Sequence, residues 1–277
     1  MTYATVMVSL AFDQPNEARL EAAGEVAERF EAAIIGIAAS QFSPPLYFTS
    51  GEQAQHLIDQ GQASIEKRLS ELEGQFRAAT KSRGIDVEWR SAIDFPARYI
   101  LQQARCADII VSGADRGAFS DPLAFVSPKD LVMQAGRPLL IVPDSLVRFD
   151  LRSVLVAWKD TPEARRAIVD ALPLLRRAKD VTVAEILEQG GSRSAALSRL
   201  RDVTAWLSRH GVAASALVPD PREGRDATVQ LDGIAADAGA GIVIAGAYGH
   251  SRFREWILGG MTQHLITPSA CCVVLSH

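Results

Sequence analysis

The sequence predicts an α/β protein built as two tandem, doubly wound, five-stranded parallel sheets with helices on both faces. Three observations predict it. Short apolar runs alternate with longer stretches of helical period along the whole chain. Several of those runs, such as Leu139-Leu-Ile-Val142 and Ile242-Val-Ile-Ala245, are apolar throughout rather than alternating, the pattern of strands buried on both faces. The chain also repeats itself. Thr5-Val-Met-Val8 followed by Glu17-Ala18-Arg19 recurs as Ser153-Val-Leu-Val156 followed by Glu163-Ala164-Arg165, and the apolar run ending at Gly113-Ala114 recurs as the run ending at Gly246-Ala247.

In the first copy, strands are expected at about 5–12, 33–39, 86–91, 108–112 and 139–142, with helices at about 16–30, 52–82, 96–105 and 128–135. In the second, strands are expected at about 153–158, 181–187, 212–218, 241–245 and 271–275, with helices at about 162–177, 193–209, 226–237 and 260–266. Pro15 and Pro162 stand near helix starts, and Gly84 and Gly211 just past helix ends. The segment 143–150 is a short connector, which divides the chain into domains at 1–145 and 152–277.

Composition narrows the function classes. Of the 277 residues 48% are hydrophobic, enough for sizeable cores, and the net charge of -4 leaves no electrostatic footprint for nucleic acid. No apolar run reaches the roughly 18 residues of a membrane span, and no basic region precedes the first apolar run as in a signal peptide. Cys106, Cys271 and Cys272 are odd in number and include an adjacent pair, which argues against a disulfide framework and fits a reducing cytosol.

The chemistry concentrates after the fourth strand of the second copy. Gly246-Ala-Tyr-Gly249 is followed, nine residues on, by Gly259-Gly260-Met261-Thr262, where a helix begins. Glycines let main-chain N–H groups approach an anion, and a helix start adds partial positive charge. The same glycines also serve plain turns and caps, and spacing alone leaves both readings open. In an open parallel sheet of order 3-2-1-4-5, ligands lie beyond the carboxyl ends of the first and fourth strands. The glycine segment would then sit beside Trp158-Lys159-Asp160-Thr161.

On these residues the chain resembles a tandem universal stress protein. Nucleotide-binding members of that family carry Gly-x2-Gly-x9-Gly-Ser/Thr after the fourth strand and an acidic residue after the first; Gly246, Gly249 and Gly259 fall on the glycine pattern. The resemblance implies an adenine nucleotide alpha hydrolase-like fold, a pocket for ATP or AMP with Mg²⁺ as an accompanying ion, at most slow ATP hydrolysis, and a cytoplasmic stress-response protein. It implies that Ala157 and Ile186 frame the adenine and that Met261 and Thr262 present N–H groups to phosphates. The two copies stand in for the family's dimer, their last strands pairing, with a further homodimer as an added expectation.

Two positions depart from the pattern. Gly260 stands where the family has Ser or Thr, and Lys159 where it has the acid, with Asp160 one further on. Asp160 is either an acceptor for the nucleotide or a helix cap, and Lys159 either a phosphate partner or a solvated lysine. His250, Arg252 and Arg254 lie in the loop between the glycines and are either phosphate contacts or solvated; Trp256 and Ile257 read as packing anchors. The first copy is the mirror case. It has Asp13 at the acidic position, but Arg116 stands at the second glycine, and Ser127-Pro128-Lys129 opens the last helix. Arg116 would fill the phosphate space, so this copy is expected not to bind ATP in the usual manner. No metal-ligand spacing and no catalytic carboxylate pair is found. Two classes remain: an adenine-nucleotide-binding stress-response module with weak ATPase activity at most, or a non-catalytic regulatory or scaffolding protein whose pocket is vestigial.

Overall fold

The computed structural model describes residues 2–12, 14–43, 51–117, 121–188, 190–220, 226–248 and 260–277. The first half runs β1 (Thr5–Ser9), α1 (Glu17–Phe30), β2 (Ala33–Ser40), α2 (Gly51–Thr80), β3 (Val87–Ile93), α3 (Pro96–Gln103), β4 (Ile109–Gly113), α4 (Pro128–Gln134) and β5 (Leu139–Val142). The second runs β6 (Ser153–Ala157), α5 (Pro162–Asp170), α6 (Leu172–Leu175), β7 (Asp180–Ala184), α7 (Arg193–Arg209), β8 (Ala214–Leu217), α8 (Ala227–Asp237), β9 (Ile242–Gly246), α9 (Gly260–Ile266) and β10 (Cys272–Ser276).

The strand order is β3-β2-β1-β4-β5-β10-β9-β6-β7-β8. Each half thus has the order 3-2-1-4-5, and every pairing within a half is parallel. The halves do not form separate sheets. β10 pairs antiparallel with β5, Val273 opposite Ile141, Val274 opposite Leu140 and Leu275 opposite Leu139, so one ten-stranded sheet runs through the molecule. The apolar strands follow from this: β4, β5 and β10 are buried along their whole length because helices cover both faces.

One face of the sheet carries α1, α2, α5 and α7, and the other carries α3, α4, α8 and α9; the apolar core on each face draws residues from both halves. Tyr3 Oη donates to the Asp170 carbonyl (2.8 Å), a further tie across the junction. At the carboxyl end of α7, Gly211 takes φ +79° and lets the Val212 N–H reach the Leu207 carbonyl (2.9 to 3.0 Å bonds close this turn), the left-handed cap its position suggests. The helix expected at 162–177 is broken: α5 ends at Asp170 and α6 restarts at Leu172, because Pro173 has no N–H and occupies the opening turn of the new helix. No helix among the described residues is long and apolar enough to cross a membrane.

Because the core is shared across the junction, the chain is expected to unfold in one cooperative transition. Leu140→Ala, at a fully buried position opposite Val274, should cost about 2–5 kcal/mol and shift that transition as a whole in urea denaturation followed by circular dichroism. Two separated transitions, only one of which moves, would show independent halves.

Candidate functional site

The carboxyl ends of β7, β6 and β9 finish level. Ala157 is opposite both Ala184 and Ala245, and Gly246 and Ala247 come next along β9. The switch point therefore ends on small residues. Trp158 N donates to the Ala184 carbonyl (2.8 Å) and Ala247 N to the Ser276 carbonyl (2.8 Å), which fixes both loop starts. Ala157, Ile186, Tyr248 and Met261 are all half-buried at the rim of the same core. The structure thus places the two residues expected to frame an adenine, and one expected to face phosphates, on one face of the sheet.

Gly246 has a structural reason to be glycine. A Cβ there would lie 2.6 Å from the Glu163 carbonyl carbon and 2.9 Å from Ala164 Cα, so β9 packs directly on the first-turn backbone of α5. The sequence left turn-making and phosphate access open for this residue; helix packing is a third role that its local sequence does not announce. Gly260 differs, with open space around its Cβ position.

The polar candidates are engaged within the protein. Lys159 Nζ lies 2.7 Å from Glu188 Oε1, linking the loop after β6 to the loop after β7. Asp160 Oδ1 lies 2.6 Å from Arg165 Nη2, and the α5 cap is Thr161, whose hydroxyl accepts from Ala164 N (3.3 Å), rather than Asp160. Both ion pairs are exposed, where such pairs contribute at most about 1 kcal/mol. Thr262 is buried, and its hydroxyl accepts from Tyr248 N (3.2 Å), tying the loop after β9 to the start of α9. Tyr248 holds φ +57°, a left-handed conformation uncommon for a side chain of this size. Burial pushes its phenol above the ordinary range, with Asp115 and Asp130 adding to the shift. Gly249, His250 and Gly259 lie outside the described residues, as do Arg252, Arg254, Trp256 and Ile257.

Sequence reasoning passed over Glu185, a buried carboxylate just past β7 that pairs with Arg199 on α7. A glutamate after an apolar run is unremarkable in sequence, and its partner is visible only once α7 is folded back. The thiols divide by burial. Cys272 is buried and pushed up to about 12, Cys271 is partly buried and also raised, and the exposed Cys106 is lowered by a hydrogen bond from Arg90. No group of three metal-ligating side chains converges among the described residues.

Solved structures share this architecture over the whole chain. A universal stress protein from Archaeoglobus fulgidus DSM 4304 superposes at TM-score 0.71 with 15% identity, covering 98% of this chain and 95% of that one. The fold is that of a tandem universal stress protein. A functionally unknown protein from Pseudomonas aeruginosa PAO1 matches at TM-score 0.57 and 15% identity, over 99% of this chain and 92% of its own. A structure from Pseudomonas aeruginosa UCBPP-PA14 matches at TM-score 0.56 and 15% identity, over 99% and 93%. No family model and no curated protein matches the chain.

The packing of Gly246 in this universal stress protein fold makes a direct prediction. Gly246→Ala should lower stability by about 1–3 kcal/mol or more, since the new methyl meets backbone that cannot rotate away. Gly233→Ala, in the middle of α8 with nothing within 4 Å of its Cβ position, should be neutral or stabilising by up to about 1 kcal/mol. Thermal melts of both variants check the contrast, and equal losses would remove the packing explanation.

Proposed function

We propose that the second half binds an adenine nucleotide, ATP or AMP, across the carboxyl ends of β6 and β9, in a cytoplasmic stress-response protein with weak ATPase activity at most. The observation that carries this reading is the shape of the switch point. Two adjacent strands end there on Ala157, Ala245 and Gly246, the half-buried Ile186, Tyr248 and Met261 follow β7, β9 and the start of α9 on the same face of the sheet, and Gly260 has open space around its Cβ position. Crevices of this kind, at the reversal of strand order in a parallel sheet, are where such folds hold nucleotides.

In this reading the base lies on Ala157 and Ile186, and the phosphates extend toward Gly260, Met261 and Thr262, with Gly246, Gly249, Gly259 and His250 bordering their path. Lys159 and Asp160 edge the crevice, and a phosphate would compete with Glu188 for Lys159. Mg²⁺ would arrive with the phosphates, which is its common mode of binding. It would supply charge neutralisation for any phosphoryl transfer.

A second reading has its own support. Lys159, Asp160, Arg165 and the Thr262 hydroxyl all have partners inside the protein, as expected of a regulatory or scaffolding protein whose pocket is vestigial.

Calorimetric titration with ATP and with AMP separates the two readings. Wild type should give a saturable heat. Gly260→Asp adds a carboxylate at an open position, and two like charges at contact repel by roughly 1–4 kcal/mol. ATP affinity should therefore fall at least about fivefold while the melting temperature stays constant. No heat from the wild type would favour the vestigial pocket.

A further inference from the structure

The crevice of the first half would lie at the carboxyl ends of β1 and β4. Two independent observations lead there. The first concerns Arg19, which repeats as Arg165 in the second half. Arg165 is exposed and pairs with Asp160, whereas Arg19 is 2% exposed. Its guanidinium lies against Gly113 at the end of β4, where a Cβ would come within 2.8 Å of Arg19 Cζ. Nη1 donates to the Ser9 carbonyl at the end of β1 (3.2 Å) and Nη2 to Gln14 Oε1 (3.2 Å). Arg116, expected to fill the phosphate space, pairs with Asp144. Arg19 is the residue that takes the corner between β1 and β4, the counterpart of the corner where Gly246 meets α5 in the second half.

The second observation is a segment, Asp121–Val126, between β4 and α4. The Leu123 carbonyl accepts from both Gln41 N and Ser40 Oγ, each at 2.9 Å, at the carboxyl end of β2. β2 and β4 flank β1, so their ends are about 10 Å apart at ordinary strand spacing. Leu123 is thus bonded at the end of β2, two strands away from the β4 that its segment follows in the chain, with β1 between them. Phe125 and Val126 of the same segment are buried. The base of a nucleotide in this half would need the space at the ends of β1 and β2.

We propose that the first half is self-liganded: Arg19 and the segment Asp121–Val126 fill the crevice at the carboxyl ends of β1, β2 and β4, so each chain carries a single nucleotide site, in the second half. The count of one rests on the proposed nucleotide reading; the self-liganded crevice does not, and the two are tested separately.

Two measurements on the full chain decide it. In a double-mutant cycle, Gly113→Ala should lower the melting temperature when Arg19 is present, because the methyl displaces the guanidinium, and should have little effect in an Arg19→Ala background. Equal losses in both backgrounds would mean that Arg19 does not occupy the corner. In hydrogen exchange followed by mass spectrometry, the peptide containing Gln41 should be protected in the free protein and unchanged by millimolar ATP, while peptides ending β6 and β9 gain protection. A Gln41 amide that exchanges freely, or that becomes protected only when ATP is added, would overturn the proposal. If no peptide responds to ATP, the nucleotide reading fails while Gln41 protection and the cycle still judge the self-liganded crevice.

Discussion

The antiparallel pairing of β5 with β10 is the constraint on which the rest of the molecule depends. Each half alone would expose one apolar edge strand, Leu139-Leu-Ile-Val142 or Cys272-Val-Val-Leu275, with a full row of unpaired main-chain groups. Placing the two edges together satisfies both rows and buries both strands on both faces. It also fixes where ligands can go. Parallel strands within each half and an antiparallel junction between them point the carboxyl ends of the two halves to opposite edges of the sheet. The two crevices therefore cannot share a ligand, and each can change without disturbing the other.

That freedom explains how two copies of one pattern came to differ. In the second half a short connection, 158–161, carries β6 straight into α5, whose first turn packs on Gly246. In the first half the connection 10–16 is longer and is pinned by Asn16, whose side chain exchanges hydrogen bonds of 3.0 Å with the main chain of Ala11. The Arg19 side chain of α1 lies against Gly113. Burial lowers the Arg19 guanidinium to about 10, the mark of a charge taken largely out of water. A bond between the halves lies beside the first crevice alone: Asp115, next to Gly113 and Ala114, donates its N–H to the Ile266 carbonyl (2.7 Å), at the end of α9 away from Gly260.

Much of the fold was legible in the sequence because it rests on local signals. The apolar runs, the helix starts at Pro162 and Pro96, and the glycine after α7 each state their role within a few residues, and the order 3-2-1-4-5 is among those that right-handed crossovers allow. The break at Ala171 was harder to read, because Leu172, Leu174 and Leu175 continue the helical period across Pro173. The site was legible as a place but less so as a set of partners. Ala157, Ile186 and Met261 are half-buried on one face of the sheet. The Lys159–Glu188 and Glu185–Arg199 pairs, the backbone contact at Gly246 and the crossing of Leu123 to β2 all join residues far apart in sequence. Glu17-Ala18-Arg19 and Glu163-Ala164-Arg165 read identically, yet one arginine is buried and the other exposed.

The most direct measurement is a crystal structure of the full chain grown with a saturating, non-hydrolysable ATP analogue. The account predicts density for one nucleotide, lying across the ends of β6 and β9 with its base against Ala157 and Ile186, and Arg19 still seated at Gly113. A nucleotide over β1 and β4 with Arg19 displaced, or an unfilled crevice in the second half, would contradict it.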